Sequence, residues 1–185
     1  MEEENTIGEI KESMEKLEEF TGRWSKYLAI TTAFIAVIAA IATLQSGNFA
    51  NQALLEKNDA VLLQSKASDQ YNYYQAKGIK KNIAEASYLS TKDEKQKQEA
   101  QRYDAEQRGI QKTADAYEAQ AAESNKQAEH FLEQHHRAAL AVTFFQIAIA
   151  LSAMSALLKR KSFWYLSLAL TAGGLVSLLS SFFIP

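Results

Sequence analysis

Three long stretches of this chain carry no charged side chain. The first runs from Tyr27, through "YLAITTAFIAVIAAIATL", to Leu55; the second is Ala138–Leu158; the third is Ser162–Pro185. A helix needs roughly 20 residues to cross a hydrocarbon layer about 30 Å thick, and each stretch is long enough. A chain of 185 residues is too small to bury three such helices, apolar all round, in a soluble core. The stretches therefore predict transmembrane helices at residues 27–45, 139–158 and 162–184. The single proline is Pro185, and only seven glycines are present. So few breakers predict an all-α fold with very few turns.

Lys and Arg decide the expected orientation. Arg23 and Lys26 precede the first stretch, and Lys159, Arg160 and Lys161 form the whole connection between the second and third. Trp24 and Trp164 are aromatic anchors at the same ends. That side is predicted to be the cytoplasm, with residues 46–138 and the C-terminus outside; in a bacterium, outside the inner membrane. The first stretch does not read as a cleaved signal peptide, because the 26 residues before it are acidic and the apolar run is too long. Within residues 1–26, Ile7, Ile10, Met14 and Leu17 recur at heptad spacing among eight Glu and four Lys+Arg. An acidic amphipathic helix suits bundling better than an anionic lipid surface.

Residues 46–138 are polar, nearly charge-balanced and free of proline. Their second half carries a heptad. One seam reads Tyr103, Ile110, Tyr117, Ser124, Phe131 and Ala138; the other reads Ala100, Gln107, Ala114, Ala121, Ala128 and His135. Large residues beside small ones predict a close helical partner. The first half is less regular: Tyr71, Gln75, Ile79, Ile83 and Ala86 share one face, and Leu54, Val61, Leu63, Ala67 and Tyr74 a neighbouring one. A turn is expected near residues 89–93, where Thr91-Lys92-Asp93-Glu94 fits a capping box. Gln45 and Ala138 lie 46 and 47 residues from Thr91. Equal arms predict a long antiparallel helical hairpin, a coiled-coil-like stalk between the first and second spans. Each arm would be about 70 Å long, and paired residue numbers would sum to about 183. That register sets Tyr74 near Gly109 and Gly78 near Ala105, which makes both glycines candidate space-makers.

The run "ANQALLEKNDAVLLQSKASDQYNYYQAKGIK" (Ala50–Lys80), the entry "RAALAVTFFQIAIAL" (Arg137–Leu151) and the three-span layout resemble the bacterial DUF4337 family. Members of that family usually carry Trp where this chain has Tyr71. The family's function is unknown, so the resemblance implies the membrane architecture and no catalytic residue.

Candidate sites are few. Tyr71, Tyr73 and Tyr74 with Lys66, Lys77, Lys80 and Lys81 suggest a nucleic-acid patch, but neighbouring helical positions cannot all face one ligand. Helix packing is the expectation, with no nucleic-acid partner. His130, His135 and His136 are the only metal candidates, and their spacing is not that of ligands on one helix face. No metal or cofactor is expected. Gln146, alone among apolar residues, is expected to bind another helix. Ala169, Gly173 and Ser177 in the third span, with Ala148, Ser152 and Ala156 in the second and Ala36 and Ala40 in the first, recur at four-residue spacing that permits close helix approach. The spans hold no Asp, Glu, Lys, Arg or His, which argues against a proton-coupled transporter. No P-loop, nucleophile elbow, dinucleotide fingerprint or zinc-protease motif occurs, so no enzyme is expected. The zero cysteine count excludes disulfides and thiolate chemistry. These features point to a self-associating membrane scaffold or interaction protein, in contact with lipid, with its own copies and with a protein partner not identified by sequence. The alternative is a channel or gated pore made by ring assembly, for which the polar lining is thin.

Overall fold

The computed structural model describes residues 2–183, with side chains described for 11–14 and 22–183. Ile7, Ile10, Leu17 and Pro185 lie outside the described side chains. Three helices account for the fold: α1 (Glu2–Thr91), α2 (Glu94–Leu158) and α3 (Lys161–Ser180). No strand occurs among the described residues. α1 does not break where the apolar stretch begins or ends. Gly22 and Gly47 lie inside it with open space around them. A mid-helix glycine costs about 1 kcal/mol relative to alanine, which lowers helix stability without interrupting the hydrogen-bond ladder.

The connection between α1 and α2 is two residues long, and its chemistry corrects the capping box. Thr91 ends α1, and its hydroxyl donates to the Ser87 carbonyl at 2.8 Å. Lys92 is left-handed, with φ of 56°, and its N–H donates to the Tyr88 carbonyl at 2.8 Å. Asp93 is the actual N-cap: its Oδ1 accepts the Lys95 N–H at 3.0 Å, and its carbonyl accepts the Gln96 N–H. Thr91 cannot cap α2 because the left-handed Lys92 stands between them. Asp93→Ala is expected to cost about 1 kcal/mol. Lys92→Gly is expected to gain a few tenths to about 1 kcal/mol by relieving the left-handed strain. Hydrogen exchange of the amides flanking the turn should slow in the second variant and quicken in the first. The α2–α3 connection repeats the device, with Lys159 at φ 52° and the Ser155 hydroxyl donating to the Arg160 carbonyl at 2.8 Å.

The chain divides into two compact units, residues 1–49 with 133–185, and residues 50–132. In the first unit, Ile35, Ala39 and Ala42 of α1 pack with Ala141, Phe145 and Ala148 of α2, joined by Leu170 and Leu178 of α3. Phe145 is fully buried. A Cβ placed on Gly174 would lie 2.7 Å from its ring. Buried Ser152 and Ser167 share a hydrogen bond of 2.7 Å between α2 and α3. The outward faces carry the larger residues: Ile30, Phe34, Val37, Ile41, Leu44, Leu140, Ile147, Leu166, Val176 and Leu179 are all exposed. Small residues therefore fill the contacts and large apolar residues point away from them. α1, α2 and α3 are all long and apolar enough to cross a membrane by length and composition.

In the second unit the heptad seams differ in burial. Ala100, Ala114, Ala121 and Ala128 are buried, whereas Tyr103, Ile110, Tyr117 and Phe131 are half-buried. α1 answers with Ala53, Ala60 and Ala67, also at heptad spacing and buried. Contacts between the helices run Lys57 with Asn125, Lys66 with Tyr117, Tyr71 with Asp115, Lys77 with Glu106 and Lys81 with Asp104. As the α1 number rises, the α2 number falls. Leu54, Leu55, Val61, Leu62, Ile79 and Ile83 lie off this seam, each more than half exposed.

Candidate functional site

The tyrosine–lysine stretch on α1 is used up in contacts with α2. The Tyr71 hydroxyl lies 2.8 Å from both Asp115 Oδ1 and Glu118 Oε2. One phenol proton serves the two carboxylates in turn, and these hydrogen bonds, Asp115 first, push the phenol's titration well above its usual range. Tyr74 is half-buried, and its carbonyl accepts Gln107 Nε2 at 3.3 Å. Lys77 binds Glu106 and lies over the rings of Tyr73 and Tyr103, 5.2 and 5.3 Å from their centroids. Lys81 binds Asp104 at 2.6 Å, and Arg108 holds the same carboxylate.

Hydrogen bonds to the lysines hold the Asp104 and Glu106 carboxyls below their ordinary range. The same bonds hold Lys77 and Lys81 above theirs. The sign follows from linkage. The carboxylates' contribution to stability is present above the ordinary carboxylate range and is lost as pH falls through their lowered values. The lysines' contribution is present below the ordinary lysine range and is lost as pH rises through their raised values. Both pairs are therefore complete at neutral pH. With Tyr71, Lys77 and Lys81 all facing α2, no stacking surface for bases is left.

Gly78 and Gly109 part company. A Cβ on Gly78 would meet the Gln107 amide at 2.6 Å, whereas one on Gly109 would meet nothing within 4 Å. Gly78 makes room, for Gln107 rather than Ala105; Gly109 makes none within this chain. Tyr74 meets Gln107 in place of Gly109 because the register differs by two residues from the sequence estimate.

The three histidines do not assemble a site. His135 Nδ1 lies 2.9 Å from the Ser46 carbonyl and 3.0 Å from its hydroxyl. Nδ1 therefore carries the proton and donates to the carbonyl. His136 is exposed, and His130 packs edge-on against Phe131. Among the described residues no group of three His, Cys, Asp or Glu side chains is placed to hold a metal ion.

The small and polar residues of the apolar stretches divide by face. Gln146 is exposed, with no partner among the described residues, so it bonds no other helix of this chain. Ala169 and Gly173 also face outward, as do Ala36, Ala40 and Ala156. Ala148 and Ser152 are buried, and Ser177 donates to the Arg137 carbonyl at 2.8 Å. On α3 the buried stripe is Ser167, Gly174 and Ser181, so the packing glycine is Gly174, one residue beyond Gly173.

The basic and aromatic residues form the best-defined concavity of the first unit. Arg23, Trp24, Tyr27, Lys161 and Trp164 line one pocket of about 360 Å³. Trp164 is held there by its indole N–H, which donates to Thr31 Oγ1 at 3.1 Å. Lys26, Lys159 and Arg160 are exposed and do not line it. Sequence reasoning placed these residues at one level of the chain. It could not see that α1 and α3 bring five of them together.

Residues 24–184 match a family model described as a domain of unknown function, DUF4337. No curated protein and no solved structure matches the chain. The match takes in the buried seams, the charged contacts between α1 and α2 and nearly all of the aromatic pocket, and the chain belongs to the DUF4337 family.

Proposed function

We propose that this is an integral protein of the bacterial inner membrane that self-associates as a scaffold or interaction protein. Three transmembrane helices, at 27–45, 139–158 and 162–184, hold it in the bilayer with its N-terminus in the cytoplasm. Residues 46–138 form an antiparallel helical hairpin outside. The falling order of contacts between α1 and α2 supports the hairpin. The outward placement of large apolar residues around small-residue contacts supports lipid as the surrounding medium, since helices in a bilayer gain nothing by hiding leucine from it. The basic flanks Arg23, Lys26 and Lys159–Lys161 support the orientation.

The observation that carries self-association is the apolar face of α1 within residues 50–91. Leu54, Leu55, Val61, Leu62, Ile79 and Ile83 are each more than half exposed. By helix rise Leu62 lies about 27 Å beyond Leu44, too far along to be sheathed by the same hydrocarbon layer. An apolar face of that extent in water is a contact surface. Particle mass in mild detergent tests this reading: the full chain should be oligomeric, and Leu55→Lys with Leu62→Lys should shift it toward monomer. A wild-type chain that stays monomeric at every concentration would sink it. Orientation is tested separately by Lys92→Cys, which supplies the only thiol. A membrane-impermeant maleimide should label it in intact cells.

A further inference from the structure

We propose that the pocket lined by Arg23, Trp24, Tyr27, Lys161 and Trp164 binds the phosphate of an anionic phospholipid headgroup. The proposal rests on the membrane reading above and adds a ligand and a site to it. Four observations converge. The five lining residues include two cations and no carboxylate. The pocket's volume of about 360 Å³ lies at the lower end of the range for small-ligand sites, about 300–1,000 Å³. Trp24 is 8% exposed, yet its indole N–H has no hydrogen-bond partner among the described residues. Lys161 is the first residue of the 20-residue α3, whose N-terminus no side chain caps.

Each feature has the sign a phosphate needs. Arginine and lysine supply charge, with the guanidinium able to grip two oxygens at once. The uncapped end of α3 presents the positive end of a helix dipole. A phosphate oxygen beside Trp24 supplies the acceptor that its buried N–H lacks, a deficit that buried polar groups rarely carry. The three aromatic rings suit the layer where headgroups meet acyl chains. Tyr27 and Ser162 are also the first residues of their charge-free stretches. The pocket therefore lies at the ends of the first and third spans, at headgroup level if those spans cross the bilayer. A zwitterionic lipid brings a phosphate too, but it also brings a cation that Arg23 and Lys161 repel. An anionic headgroup is the better match.

The chain's two tryptophans are Trp24 and Trp164, so tryptophan emission reads this pocket alone. The full chain would be reconstituted in vesicles of phosphatidylcholine and phosphatidylglycerol, with one lipid at a time brominated on its acyl chains. The expected result is an apparent preference for brominated phosphatidylglycerol of about fivefold or more, the effect of roughly one basic group per contact. Arg23→Gln with Lys161→Gln should bring the ratio close to one, while Lys26→Gln, an exposed lysine outside the pocket, should leave it high. Equal quenching by both lipids in the wild type overturns the proposal and leaves the membrane reading standing. Absence of quenching by either lipid, with protein recovered free of vesicles, overturns the membrane reading itself. A preference lost equally in Lys26→Gln assigns the effect to diffuse surface charge and overturns the pocket. Inorganic phosphate added to phosphatidylcholine vesicles separates the sources. A saturable change in emission, absent from the Arg23→Gln/Lys161→Gln protein, assigns the pocket to soluble phosphate and overturns the lipid; no change supports the lipid.

Discussion

Phe145→Ala is expected to destabilise the first unit by about 2 kcal/mol, and Gly174→Ala to reverse sign in its presence. Phe145 is fully buried among Ile35, Ala39, Ala42, Ala141 and Ala148. In water-soluble cores Phe→Ala costs about 3–5 kcal/mol, part of it the transfer of the ring out of water. Helices surrounded by lipid lose that part, because lipid solvates the ring as well as the core does. The cavity remains. At about 24 cal/mol per Å³ over roughly 100 Å³, it accounts for about 2 kcal/mol.

Gly174→Ala places a methyl 2.7 Å from Phe145 Cε1 and 3.0–3.1 Å from two further ring atoms. Overpacking of this kind costs about 1–3 kcal/mol, against a helix-propensity gain of about 1, so a net loss is expected. With Phe145→Ala beside it the clash disappears, and the same substitution should stabilise by about 1 kcal/mol. Gly173→Ala, which meets nothing within 4 Å, should stabilise by about as much in the wild-type background. Thermal unfolding in mild detergent, followed by helicity, reads all four variants. Equal effects of the two glycine substitutions would show that α3 does not meet Phe145 in this register.

Ala114→Leu is expected to cost about 3 kcal/mol, the upper end for overpacking. Ala114 and Ala67 are each completely buried, and the neighbouring contacts of Lys66 with Tyr117 and Tyr71 with Asp115 set them nearly level. An isobutyl group there has nowhere to go except between the helix backbones. Parting them also stretches the bonds of Lys77 to Glu106 and Lys81 to Asp104, which depend on short reach. Ala105→Leu is the control. Ala105 is exposed on the same helix, and its substitution should stay within about 0.5 kcal/mol. Hydrogen exchange between residues 60 and 120 should quicken sharply in the first variant and not in the second. A neutral Ala114→Leu would mean that the alanine seam is not a close contact.

The sequence by itself determined that the chain is helical almost throughout, because one proline and seven glycines leave little else available. It also determined where the apolar stretches lie, that the short α2–α3 connection is basic, and that α2 carries a heptad with an alanine seam. Only the tertiary structure decided which stripe is the buried one. In α1 the eye follows Leu54, Val61, Ile79 and Ile83, yet Ala53, Ala60 and Ala67 make the contact. Periodicity defines faces without saying which face meets a neighbour, and alanine permits the closer approach. The same ambiguity separates Gly174 from Gly173 and leaves Gln146 outside the packing. At the turn, Thr91 and Asp93 both have capping chemistry, and the left-handed Lys92 chose between them. The pocket was the least legible feature, because Arg23 and Lys161 lie far apart along the chain. Their meeting depends on how α3 returns to α1, which is set by Ser152 with Ser167, Phe145 with Gly174 and Trp164 with Thr31. Those are pairings of shape and hydrogen bonds that composition and spacing do not encode.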